Sequence, residues 1–241
     1  MDKLSNSFSL LDLDSEDSKV ESSIATEEQL GDKGLKIFSK DGTLLDNGNE
    51  NQQQIPGELR MPLVWIDLEM TGLNIEVDRI LEIACVVTDG NLTKSIEGPD
   101  LVIHQTKECL DKMGEWCQEH HAESGLTEKV LQSTISEQEA EKQVVEFVKR
   151  YVGTYAAHIA GNSVYMDLLF IRKYMPDLAA LFSHVVVDVS SVKALCIRWY
   201  PRDKKKAPQK ENKHRALDDI KESIAELKFY KEHIFKPKSK K

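Results

Sequence analysis

The sequence predicts an α/β domain built on a mixed sheet, and two features carry that prediction. Apolar runs with strand-like length and hairpin chemistry come first, and short strands alternate with helical periods after them. Residues 63–68 form a nearly continuous apolar run, the pattern of a central strand covered on both faces. Residues 80–88 read as a second strand, followed by Asp89-Gly90, a hairpin signal, and a third strand over residues 92–104 with two interruptions. Residues 136–151 place Ala140, Val144, Phe147 and Val148 at helical spacing. Residues 156–160 make a short apolar strand ending at Gly161. Asn162-Ser163 is predicted to cap a helix that runs to Met175, where Pro176 stops it. Residues 185–187 form another short buried strand, and residues 190–199 and 215–230 are helices.

The chain has 241 residues, 40% of them hydrophobic and 30% charged, enough for one sizeable core. Its net charge of −9 argues against a protein that coats long nucleic acids through many cationic contacts. The charge is uneven. Residues 1–60 hold thirteen Asp/Glu against six Lys/Arg, and their Ser, Asn and Gln content reads as a largely disordered acidic segment. Pro56-Gly57 marks its boundary with a domain over residues 61–235, and residues 236–241 form a basic tail. Residues 202–213 are a second basic stretch without apolar period, expected to be an exposed loop. No run approaches the ~18–20 apolar residues of a membrane helix, and no secretory pattern precedes the domain. The acidity of the first segment speaks against a mitochondrial leader, so the expected location is cytoplasmic, with mitochondrial as the alternative. Four cysteines lack the density of a disulfide framework. Cys109 and Cys117 with His120 and His121 match no common zinc spacing.

The chemistry is concentrated in acidic residues at unusual places. Asp67 and Glu69 lie two apart at the end of the first strand, on one face, roughly 6.5–7 Å apart at the backbone. They mark either a site or the strand's exposed end. Asp167 flanks the apolar stripe Val164, Leu168, Ile171 and Met175 in the first turn of its helix. The helix dipole alone would favour it there, but this turn is also where α/β sheets expose ligand sites. In the last helix, predicted to bury Leu217, Ile220, Ile224 and Leu227, Asp219 flanks the packed face and Asp218 points to solvent. His214 just precedes this helix and either leans over Asp219 or is a surface histidine. Two unit charges 4 Å apart repel by about 4 kcal/mol at an effective dielectric near 20. A site that gathers Asp67, Glu69, Asp167 and Asp219 therefore calls for hard cations, Mg²⁺ or Mn²⁺. Two of them form a known clamp for phosphodiester hydrolysis, with a neutral histidine as proton acceptor.

The segments Trp65-Ile-Asp-Leu-Glu-Met-Thr-Gly-Leu73, Gly161-Asn-Ser-Val-Tyr-Met-Asp167 and His214-Arg-Ala-Leu-Asp-Asp219 resemble the three motifs of the DEDD-type 3′→5′ exonucleases, in the subgroup with a histidine. The wording is closest to the oligoribonuclease family, and the similarity covers residues 61–235. The resemblance implies an RNase H-like fold, a homodimer, two Mg²⁺ or Mn²⁺ ions, and hydrolysis of short RNA down to dinucleotides into 5′-mononucleotides. It assigns the metals to Asp67, Glu69, Asp167 and Asp219 and the general base to His214. Leu73 resembles the family's wedge between two bases and Trp116 its stacking aromatic, while His121, Ser163, Ser190 and Ser191 match substrate-side positions. His184 stands where many members have a Tyr that reaches the neighbouring subunit's site, and Val185 where relatives have an Arg. The competing readings are a broader exonuclease on longer RNA or single-stranded DNA, a non-catalytic RNA-binding protein on the same fold, and a scaffold working through the acidic segment.

Overall fold

The computed structural model describes residues 59–152, 157–208 and 215–235. The acidic segment up to residue 58, His214, residues 209–213 of the basic stretch and the tail 236–241 lie outside the described residues. In chain order the elements are β1 (Leu63–Met70), β2 (Ile80–Thr88), β3 (Ser95–Val102), α1 (Lys107–Leu110), α2 (Glu115–Glu123), α3 (Leu126–Gln132) and α4 (Glu137–Val152). They continue with β4 (Ala157–Gly161), α5 (Tyr165–Tyr174), α6 (Pro176–Ala179), β5 (Phe182–Asp188), α7 (Val189–Trp199), α8 (Pro201–Lys204) and α9 (Ala216–His233). The sheet order is β3-β2-β1-β4-β5. β1, β2 and β3 are antiparallel neighbours, and β4 and β5 add in parallel on the other side of β1. This is the mixed sheet that the sequence predicts.

β1 is central because both its faces are covered. Val64, Ile66, Leu68 and Met70 face one core with Val144 and Val148 of α4 and Leu168 and Ile171 of α5. Trp65 faces the other core with Val189 and Cys196 of α7 and Ala216, Ile220 and Tyr230 of α9. A third cluster packs Leu110, Cys117, Leu126 and Val130 of α1–α3 on Leu81. The chain leaves β1 toward β2 on one side and β4 joins from the other. The carboxyl ends of β1 and β4 therefore border the crevice where such sheets place their sites. Gly161 lets them close up, because a Cβ there would meet the Ile66 carbonyl oxygen at 2.9 Å and the Val164 side chain.

Several local expectations are corrected. The hairpin signalled by Asp89-Gly90 is present, with β2 and β3 antiparallel, but its link is longer than a strand starting at residue 92 would leave. Residues 89–94 form the link, and the Asp89 carboxylate accepts from the Thr93 and Lys94 amides at 2.7 and 2.8 Å while buried Leu92 takes a left-handed φ of 57°. β3 accordingly begins at Ser95. Asn162 and Ser163 do not cap α5, which starts at Tyr165 behind Val164 without a side-chain cap. Pro176 ends α5 and opens α6, whose first amides are accepted by the buried Glu141 carboxylate at 2.7 and 3.1 Å. The basic stretch opens with α8 rather than running as a loop throughout, with Pro201 at its first position. α9 buries Ala216, Ile220, Ser223, Glu226 and Tyr230, while Leu217, Ile224 and Leu227 are only partly covered. Asp218 and Asp219 are both half-buried.

Glu82 of β2, fully buried, is the Cα partner of Glu69 across the β1–β2 ladder. Arg215, 27% exposed, neutralises Glu82 through Nη2–Oε1 at 2.6 Å and Nε–Oε2 at 3.3 Å and so pins the start of α9 to the sheet. Arg215→Met would leave a buried, unpaired carboxylate. Urea unfolding is expected to show a loss of about 3 kcal/mol, the low end of the range for breaking such pairs because Arg215 is partly exposed. The double variant Glu82→Gln/Arg215→Met should recover most of that loss.

Candidate active site

Asp67 and Glu69 reach the crevice because they continue the Trp65 side of β1 past the point where that core ends. A bulge between Glu69 and Met70 then breaks the ladder. Asp219, in the first turn of α9, approaches the same point, so that one carboxylate oxygen from each of Asp67, Glu69 and Asp219 lies within 4.8 Å of the others. Asp167 comes from the first turn of α5 and is 6% exposed. Its Oδ1 accepts the Leu68 amide at 2.9 Å, which ties it to the strand residue between the other two acids.

The electrostatics follow from burial first and from this crowding second. Burial, then the charges of Asp219, Glu82 and Asp167, push the Glu69 carboxyl up to about 8, with Arg215 opposing. Burial pushes Asp167 up to about 7 against the stabilising Leu68 amide, and Asp188 adds to the rise. The arginine beside the site is spent on Glu82. Oxygen donors of this density suit a hard divalent cation, so the residues present fit the metal that the sequence implies.

The remaining predicted positions separate into two groups. His121 is buried on α2. Its Nε2–H donates to the Met70 carbonyl at 2.9 Å, and Nδ1 lies 3.9 Å from Glu69 Oε2, so it stands behind the acid rather than on the surface. Trp116 is half-buried and stacks on His120 with ring centres 3.9 Å apart. Leu73 lies on the loop that leaves β1, half-buried against the main core. Ser163, with a left-handed φ of 54°, and Ser190 face each other at Oγ–Oγ 3.0 Å, and Ser191 is exposed. His184 is exposed in the middle of β5, at the edge of the sheet. It is four residues, about 13 Å, before the strand's carboxyl end, and within one chain the fold does not bring it to the acids.

Sequence reasoning missed Asp188, whose Oδ1 accepts both the Ser163 amide at 3.1 Å and the Ser190 amide at 2.8 Å. The signal was present: an Asp at the end of a strand, followed by Val-Ser-Ser, is a helix N-cap pattern. Glu82 was missed as well, although a lone acid inside the run Ile80–Thr88 is itself anomalous.

Residues 64–227 match the family model described as exonuclease, RNase T type. The chain is 59% identical to an oligoribonuclease of Arabidopsis thaliana over 98% of its length and 99% of that protein. The chain belongs to the exonuclease family. Within that family it is similar also to the human protein named mitochondrial oligoribonuclease, 51% identical over 73% of this chain and 74% of that one. A product-bound structure of exonuclease I shares the fold, with a TM-score of 0.54 at 17% identity over 71% of this chain. This chain spans about 43% of that enzyme's length. The sheet is thus an RNase H-like exonuclease sheet, and the chain is a nuclease.

The raised carboxyl groups give this exonuclease a defined pH response. Without metal, the folded chain retains protons on Glu69 and Asp167 that the unfolded chain releases near their ordinary values of 4.5 and 3.8. These two groups therefore make stability fall as pH rises from about 4 toward 8. Thermal melts in chelator are expected to show this loss, Glu69→Gln to flatten it, and added Mg²⁺ or Mn²⁺ to restore the melting temperature at pH 8.

Proposed function

We propose that this exonuclease hydrolyses short RNA from the 3′ end, down to dinucleotides, and releases 5′-mononucleotides. The observation that carries the proposal is the meeting of Asp67, Glu69 and Asp219 within 4.8 Å, with Asp167 tied to the strand between the first two. These four acids would hold two Mg²⁺ or Mn²⁺ ions. Bound there, such ions lower the pKa of water and stabilise charge on the phosphate and the leaving oxygen. His214, one residue before Arg215, is assigned as the base that takes the proton from the attacking water. The P–O3′ bond breaks, the 3′ oxygen stays with the shortened RNA, and the phosphate leaves on the mononucleotide. Leu73 and Trp116 are assigned to the bases, where stacking on an aromatic contributes about 1–3 kcal/mol per base. Ser163, Ser190 and Ser191 are assigned to the phosphate through their hydroxyls, and His121 acts on the site by supporting Glu69. The Arabidopsis and human relatives bear the name oligoribonuclease, which supports RNA over DNA as substrate.

The active form is proposed to be a homodimer, in which His184 serves the partner's site. Exposed Val185 on β5 and exposed Leu195, Trp199 and Tyr200 on and after α7 supply apolar surface for such contact. The catalytic unit is residues 61–235, with 1–60 an acidic appendage and 236–241 a basic tail. The cytoplasm is the proposed location, and mitochondria are the alternative. No helix among the described residues is long and apolar enough to cross a membrane.

The broader reading, an exonuclease on longer strands, is separated by rate. A 5′-labelled RNA dinucleotide is expected to be consumed faster than a ~20-residue RNA or single-stranded DNA. Faster loss of the long strands would overturn the proposal. Asp167→Asn should remain folded by circular dichroism and lose at least about a hundredfold in turnover, as expected when transition-state charge stabilisation is removed. Chelation of divalent ions should have the same effect on the wild type.

A further inference from the structure

Helix α9 brings Asp219 to the other acids on its first turn, the part of a helix least held by its own backbone bonds. The Arg215 side chain makes no cap to the helix amides. The first backbone bond runs from the Asp219 amide to the Arg215 carbonyl at 3.0 Å. Ala216 is buried in that turn, and the larger apolar anchors Ile220 and Tyr230 follow it. Glu82 of β2 takes over the task of the cap. Its Oε1 accepts Arg215 Nη2 at 2.6 Å, its Oε2 accepts Arg215 Nε at 3.3 Å, and the Ala216 amide reaches the same Oε2 at 3.5 Å.

Glu82 is at the same time the Cα partner of Glu69, and Ala84 that of Asp67. One residue of β2 is thus tied to both halves of the acidic cluster. The ladder joins it to the strand that carries Asp67 and Glu69, and the guanidinium joins it to the helix that carries Asp219. A planar fork on a carboxylate fixes orientation as well as distance, which a single contact does not. The gap between the Asp219 oxygen and those of Asp67 and Glu69 is therefore set by this tie as well as by packing. That gap matters to a cation. Mg²⁺ demands near-octahedral ligands at about 2.0–2.1 Å, whereas Ca²⁺ accepts irregular sets at about 2.3–2.6 Å. A loosened ligand costs the smaller ion more.

We infer that Glu82 and Arg215 are positioning residues that tune the site to a small divalent cation, by holding Asp219 at a fixed distance from Asp67 and Glu69; this rests on the assignment of Asp219 to the metals above. Single changes confound placement with charge. Burial, then the charges of Asp219 and Glu82, raise the Glu69 carboxyl, and Arg215 opposes them. The double variant Glu82→Gln/Arg215→Met removes one charge of each sign and leaves no unpaired buried carboxylate, so it isolates the loss of the tie. Arg215→Lys keeps the charge and removes the fork.

The test binds Mn²⁺ to the full chain at pH 8 and displaces it with Mg²⁺ or Ca²⁺, following free Mn²⁺ by electron paramagnetic resonance. The double variant is expected to weaken Mg²⁺ at least tenfold and Ca²⁺ less than threefold. Arg215→Lys should shift the same ratio in the same direction by a smaller factor. Asp219→Asn should weaken Mn²⁺ by itself, and adding the double change to it should cost Mg²⁺ nothing further, because the tie acts through Asp219. If the double variant and Arg215→Lys bind both ions as wild type does, or lose both by the same factor, the positioning role is overturned while the metal assignment stands. A further loss of Mg²⁺ in the Asp219→Asn background overturns it as well. If Asp219→Asn leaves Mn²⁺ affinity unchanged, the assignment of Asp219 to the metals is what fails, and the positioning role falls with it. If the double variant does not fold, Arg215→Lys decides by the same ratio.

Discussion

Mutual repulsion among acids is the constraint around which this molecule is organised. Three carboxylates bring one oxygen each within 4.8 Å of the others, a fourth is stitched to the same strand, and a fifth, Glu82, sits beside Glu69 on the neighbouring strand. Left to water, such groups would separate; the sheet prevents it, because each is carried by an element that is buried for other reasons. β1 is fixed by two cores, α5 by its apolar stripe, and α9 by Ile220 and Tyr230. Packing thus holds together what charge would push apart; burial first, and neighbouring charge after it, raise the proton affinity of Glu69 and Asp167. A site with this stored preference binds protons or divalent cations, and the second choice is the useful one for a nuclease.

The surrounding hydrogen bonds divide the labour. Arg215 is committed to Glu82, which keeps a guanidinium close to the acids without cancelling them. The Leu68 amide fixes Asp167 in place, and His121, bonded to the Met70 carbonyl, stands 3.9 Å behind Glu69. Asp188 gathers the amides of Ser163 and Ser190 and so holds a strained backbone at Ser163 that would otherwise relax. None of these groups needs to touch substrate to matter.

The legible part of the sequence was the part in which local pattern and final environment agree. The two-sided run of β1, the period of α4 and the flanking positions of Asp167 and Asp219 all follow from burial that recurs at fixed spacing. Residues 107–132 gave no such pattern: α2 buries only Cys117 and His121, and its helix depends on packing against Leu81 rather than on amphipathic period. The contacts of Asp78, whose carboxylate accepts the Thr71 hydroxyl and the Asn74 amide, were hidden because they lie within a turn whose shape cannot be read from residue type. Asp89 shows the same limit, since an Asp-Gly pair that favours a tight hairpin was drawn instead into a six-residue link capped by its own carboxylate. His214 lies outside the described residues, so the assigned base rests on its place in the third motif.

The strict alternation along β1 has a consequence for how this chain can vary in length. Trp65, Asp67 and Glu69 share one side of the strand and Ile66 and Leu68 the other, so inserting or deleting a single residue ahead of Asp67 would exchange the two sets. The acids would then point into hydrocarbon and the leucine into the crevice, and fold and chemistry would be lost in the same event. The link at residues 89–94, by contrast, has no inward side to preserve except at Leu92, and can absorb changes of size. Tolerance to indels in this molecule is therefore set by frame, and is lowest where the reading of successive faces carries the reaction.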